Sequence, residues 1–125
     1  MGQSYNVIVK MKVKGAAEII KQSVDVFKTE CPEWYGEAKD IMPCDTVYGC
    51  VAFALGSNQK DFTAEHKKGT TTYRSFFHAT YSWGAVMCAW FESIAPYLKD
   101  GSSMLVYPDS GHYEYVVKDG KAIVK

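Results

Sequence analysis

Four cysteines and three histidines are the residues here whose side chains could do chemistry: Cys31, Cys44, Cys50 and Cys88, with His66, His78 and His112. A thiol beside an imidazole, with a carboxylate to orient the ring, is the arrangement of a cysteine-dependent hydrolase. Cys44 with His112 or His78, and Asp45 or Asp109 as the orienting acid, would supply the parts, and Cys88 is a second candidate thiol. That grouping rests on residue types alone. The chain has no Gly-x-Ser-x-Gly elbow and no glycine-rich phosphate cradle, since Gly49 and Gly56 stand isolated. A metal site needs at least three convergent ligands, and no closely spaced His or Cys pair announces one. Ser110-Gly111-His112, within PDSGHYEY, has the composition of a turn between strands. The reading predicts no catalytic residues, no metal and no cofactor.

Aromatic residues are the real excess, with nine Tyr, six Phe and three Trp making 14% of the chain. Phe27, Phe53, Trp90 and Phe91 fall at core positions of their segments. Tyr107, Tyr113 and Tyr115 are spread through the C-terminal strands, with Tyr113 and Tyr115 on one sheet face, and Tyr73 is placed to join them. Tyrosine combines a large contact area with a polar tip, which suits a recognition surface. Trp34 and Tyr35 sit in a punctuated loop, either as anchors to the core or as exposed contacts. These six residues are the candidate protein-contact site; the alternative is that the rings simply cover the second face of a sheet.

Acidic and basic residues balance at 14 each, and Arg74 is the only arginine. No net field would steer a polyanion, and forked guanidinium contacts to phosphate are scarce, so duplex nucleic acid is not an expected partner. No apolar run is long enough for a signal peptide or a membrane span, and the myristoylation pattern fails at Asn6. A cytoplasmic protein with free thiols and no membrane association is expected.

These residues must be positioned by a small set of elements. At 125 residues a single α+β domain, 1–125, is expected. Val7, Val9, Met11 and Val13 alternate with polar neighbours, predicting a strand over Tyr5–Lys14. Ala16, Ile19, Ile20, Val24 and Phe27 recur at helical spacing, predicting a helix that stops before Cys31-Pro32. Residues 31–46 read as a long loop. Val47–Leu55 fits a strand by composition and a capped helix by its flanks, Asp45 and Gly56, with the strand preferred. Residues 57–69 read as an exposed polar excursion with a helical turn near Phe62, and Thr70–His78 as a strand. Val86, Met87, Trp90, Phe91, Ile94 and Leu98 line one face of a second helix over Thr80–Leu98, with Pro96 kinking its last turn or starting a separate one. Strands follow at Met104–Tyr107, Tyr113–Val117 and Ala122–Val124, the last two joined through Asp119-Gly120. The order β-α-β-β-α-β-β-β predicts an antiparallel sheet with two helices on one face: a ferredoxin-like core (β-α-β-β-α-β) plus a C-terminal β meander.

The stretch APYLKDGSSMLVYPDSGHYEYVVKDGKAIVK resembles the ending of small uncharacterised Firmicutes and phage proteins. The likeness is carried by Pro96, Tyr97, Leu98, Asp100, Gly101, Ser102, Tyr113, Tyr115, Gly120 and Lys121. It covers residues 95–125 and implies fold more than function. Chains from mobile elements often act as inhibitors of host defence proteins, and that role is what the resemblance implies. Taken together, the expectation is a non-enzymatic protein-binding module, with a protein partner or a homo-oligomer. The alternatives are a small-ligand (nucleotide-like) binder using an aromatic pocket, and the small cysteine-dependent hydrolase.

Overall fold

A computed structural model describes residues 2–14, 51, 62–80, 83–109 and 111–125. They form a six-stranded antiparallel sheet and one α-helix, an α+β architecture that is mostly sheet. The strands are β1 (Gly2–Met11), β2 (Thr63–Lys67), β3 (Thr70–Thr80), β4 (Ser103–Tyr107), β5 (Tyr113–Lys118) and β6 (Lys121–Val124). Helix α1 spans Trp83–Ile94 between β3 and β4 and passes into a 3₁₀ turn at Ala95–Tyr97. The strand order across the sheet is β2-β3-β1-β4-β5-β6. The predicted first helix, the loop carrying Trp34 and Tyr35, and Cys31, Cys44 and Cys50 lie outside the described residues.

Alternation along β1 is the organising pattern. Tyr5, Val7, Val9 and Met11 are buried, and Asn6 and Lys10 are exposed. The register carries this face across the sheet, pairing Tyr5 with Phe77, Val7 with both Ser75 and Val106, and Val9 with both Tyr73 and Met104. Helix α1 lays Met87, Trp90, Phe91 and Ile94 onto that surface, and all four are fully buried. Burying a side chain of this size stabilises the fold by about 1.5–3 kcal/mol.

The strands run longer than their alternation indicates. β1 extends back to Gly2, because β3 is long enough to pair Gly2 with Thr80, and Val13 is left as an isolated bridge to Leu98. Thr80 is thus the end of a strand, and the second helix begins at Trp83. Pro96 lies in the separate 3₁₀ turn, because a residue without an N–H cannot continue an α ladder. Val51, the one described residue of 47–55, is helical and fully buried, against the strand preference. A short buried apolar run does not itself separate the two states.

Residues 63–67 correct the expectation of a polar excursion, for they form β2, paired to β3 from Thr63↔Arg74 to Lys67↔Thr70. All five residues of β2 are exposed, so no apolar alternation betrays the strand. The turn is Lys68-Gly69, with φ of 52° and 78°, the two successive positive values of a tight primed hairpin. Asp119-Gly120 repeats the geometry at 54° and 75° between β5 and β6, where the sequence predicts a hairpin.

The chain after α1 is pinned at both ends of its passage. Lys14 N–H donates to Tyr97 O at 2.8 Å and Lys99 N–H to Lys12 O at 2.8 Å. Ser102, fully buried, accepts from Lys12 N–H through its Oγ at 3.0 Å. Its backbone carbonyl accepts from Val117 N–H at 2.8 Å. Asp100 Oδ1 accepts from Asp119 N–H at 2.9 Å. Tyr97, Lys99, Asp100 and Ser102 therefore tie this passage to β1 on one side and to β5 and its turn on the other.

Candidate functional site

Strand parity sorts the candidate aromatic residues into different places. Tyr73 is 4% exposed and belongs to the core, stacked with Phe62 at 6.1 Å between ring centroids. It offers no contact surface. Tyr107, 41% exposed, follows buried Val106 and points to the opposite side of the sheet from α1. Tyr113 and Tyr115 do share a face, as their spacing indicates, but it is the face that carries α1. Their rings meet edge to face at 6.1 Å and 86°. Trp34 and Tyr35 lie outside the described residues. The six residues therefore do not form one surface.

Two features replace it. One is the sheet face turned away from α1. Phe76 on β3 and Tyr107 on β4 flank Asn6 of β1 in register, making a row across three strands. Phe76 and Tyr107 are 39% and 41% exposed, and Ile123 farther along the sheet is 47% exposed. Half-buried Ile8 and Leu105 pair in the next row, flanked by Arg74 and Glu114. At one end Ser4 pairs with His78, and its Oγ lies 3.2 Å from His78 Nδ1.

Ser4, His78 and Asp109 have the residue types of a nucleophilic relay but not its connections. Asp109 Oδ1 accepts from the backbone N–H of Ser4 at 3.1 Å, so the carboxylate orients main chain and not the imidazole. His112 stacks against Tyr107 with 5.5 Å between centroids. His66 shares a 2.8 Å hydrogen bond with Thr71 Oγ1 beside the β2–β3 turn. Among the described residues no group of three His, Cys, Asp or Glu side chains is gathered for a metal ion.

The second feature is a cavity of 310 Å³ between α1 and the sheet, lined by Tyr5, Gly84, Ala85, Cys88, Pro108, Tyr113 and Tyr115. Gly84 N–H donates to Tyr5 Oη at 3.3 Å. The Cys88 thiol lines the cavity beside Tyr113 and Tyr115, and both phenols favour its ionised form. Burial pushes this thiol above its ordinary value, and the charge of Glu92 adds to the rise against the lowering effect of the two phenols. Burial, followed by the neighbouring thiol, raises Tyr113 well above the usual phenol range. Tyr115 is pushed up to about 12, first by its hydrogen bond to Cys88 and then by burial. A thiol held protonated between two phenols, with no described histidine lining the cavity, is a poor nucleophile.

Comparison with known proteins finds no matching family model, no matching curated protein and no matching solved structure. Geometry alone carries the functional reading.

Sequence reasoning missed Gly84, and it named Cys88 only as a candidate thiol without placing it beside Gly84. A signal for them was present: they stand four residues apart on α1, hence on one helical face, and a glycine there leaves a notch that a neighbouring ring can fill. No described helix is long and apolar enough to cross a membrane.

Proposed function

We propose that this chain is a non-enzymatic binding module that engages another protein through the sheet face opposite α1. The observation that carries this reading is the row Phe76–Asn6–Tyr107, in which two large rings are about two-fifths exposed on a rigid central part of the sheet. Arg74, His78 and Glu114 border it, so exposed rings are interspersed with polar groups, a mixture common in protein interfaces. Aromatic residues on a preformed sheet lose little conformational entropy on binding. The partner surface moves from the tyrosine pair at 113 and 115 to Phe76, Tyr107 and Ile123.

The narrower role, a phage or mobile-element inhibitor of a host defence protein in the cytoplasm, rests on the C-terminal resemblance alone. We further propose that β1–β4 with α1 are a ferredoxin-like core whose first helix is supplied by residues 16–27. The order β2-β3-β1-β4 and the placement of α1 between β3 and β4 support that reading.

Affinity capture from the native host, followed by mass spectrometry, tests the function. The Phe76→Ala/Tyr107→Ala chain should lose a partner that the parent chain retains, with an unchanged melting midpoint. Equal capture by both chains would rule this face out. Sedimentation of the purified protein distinguishes a second copy of the chain from a different partner.

A further inference from the structure

We propose that the cavity between α1, strands β1 and β5 and Pro108 is a binding site for a small, uncharged, planar ring compound of nucleobase size. This site is separate from the sheet face described above, since Tyr5, Tyr113 and Tyr115 lie on the side that carries α1.

The volume sets the scale. A space of 310 Å³ lies at the lower end of the range for small-molecule pockets and holds roughly ten water-sized groups. That is the size of one heterocycle, and the cavity opens to solvent beyond it. The walls set the shape. Tyr113 and Tyr115 meet edge to face, so a flat ring laid against the pair meets one phenol face and one phenol edge, both favourable aromatic contacts. Ala85, Pro108 and the notch at Gly84 complete a lining with few polar atoms.

The polar groups set the chemistry. Among the described lining residues the polar side-chain groups are three phenol hydroxyls and one thiol, and none carries a charged side chain. A charge carried on the ring itself would therefore shed part of its hydration without an opposite charge to meet it, which is costly. The hydroxyls of Tyr113 and Tyr115 have the Cys88 sulfur as their neighbour in the lining, a soft and weak hydrogen-bond acceptor. A carbonyl oxygen or ring nitrogen arriving between them is a better acceptor, so the exchange favours ligands with such an atom. Gly84 is what keeps the space usable, because a side chain there would drive into Tyr113 Oη.

Isothermal titration of the full chain against adenine, cytosine, uracil and phenol tests the assignment, with benzoate and tetramethylammonium as charged counterparts. At least one neutral ring is expected to bind at millimolar concentration or below and to slow alkylation of Cys88, mapped by mass spectrometry. Tyr113→Phe and Tyr115→Phe keep the rings and remove the hydroxyls, and each should weaken that ligand by about tenfold. No binding by any neutral ring overturns the proposal. So does binding that leaves Cys88 alkylation unchanged, affinity indifferent to both phenylalanine variants, or equal affinity for the charged compounds.

Discussion

The hydroxyl of Tyr113 occupies the place that a side chain at position 84 would need: a Cβ on Gly84 would stand 2.7 Å from Tyr113 Oη. Helix and sheet approach here as closely as hydrogen allows, and Gly84 N–H also donates to Tyr5 Oη.

Gly84→Ala should therefore destabilise the protein, although alanine is the better helix former. Overpacking costs about 1–3 kcal/mol, against a helix gain of at most about 1 kcal/mol for Gly→Ala. In a Tyr113→Phe background the obstructing oxygen is gone, and the same substitution should be neutral or stabilising. Urea titration of the four chains of this double-mutant cycle measures the coupling, expected at about 1 kcal/mol or more.

Trp90→Ala should cost about 3–5 kcal/mol, since the indole is fully buried at the centre of the α1–sheet contact. Phe76→Ala and Tyr107→Ala, on the open face, should each stay within about 0.5 kcal/mol. Thermal or urea unfolding checks both, and a large loss from either open-face variant would show that the face is packed.

Ser102→Ala removes the acceptor of Lys12 N–H in a buried position. A polar backbone group stranded in this way costs about 1–3 kcal/mol. Amide hydrogen exchange at Lys12 should accelerate in the variant, along with a fall in the urea midpoint.

Stability should hold steady through neutral pH and fall in alkali. Cys88, Tyr113 and Tyr115 all sit above their ordinary values of 9.0, 10.0 and 10.0. The fold thus favours their protonated forms, and the unfolded chain gives up these protons first. The contribution is intact below about pH 9 and declines as pH climbs through 9 toward 12. Melting midpoints across that span measure the decline, and the ultraviolet phenolate band should show two tyrosines ionising late. For the same reason Cys88 should alkylate more slowly in the native protein than in urea at pH 8, beyond what access alone imposes.

Much of this fold is legible in the residues, and the reasons differ by element. β1 announces itself because one side is buried and the other wet, so valine and lysine alternate. α1 does so through Met87, Trp90, Phe91 and Ile94, and the β5–β6 hairpin through Asp119-Gly120. β2 is silent because Thr63–Lys67 bury nothing, leaving only backbone pairing, which side-chain pattern does not record. The site is legible in part. Tyr113 and Tyr115 share a face by simple parity, yet which face they share depends on Val117, buried two positions farther along the same strand. Tyr107 is out of phase with Met104 and Val106 for the same reason, which sends it to the other side of the sheet. Cys88 reads from the sequence only as a candidate thiol, and tertiary contact alone gives it two phenol neighbours.

A strand held by its ladder alone has a consequence for how the molecule loosens. The opening of β2 sacrifices no apolar burial, so this outer ribbon should unzip from β3 at a small fraction of the global unfolding free energy. What such a fluctuation uncovers is the bare main-chain margin of β3, a template for any extended peptide in solution. Lys67 and Lys68, at the hairpin tip, then act as electrostatic guards against self-templating.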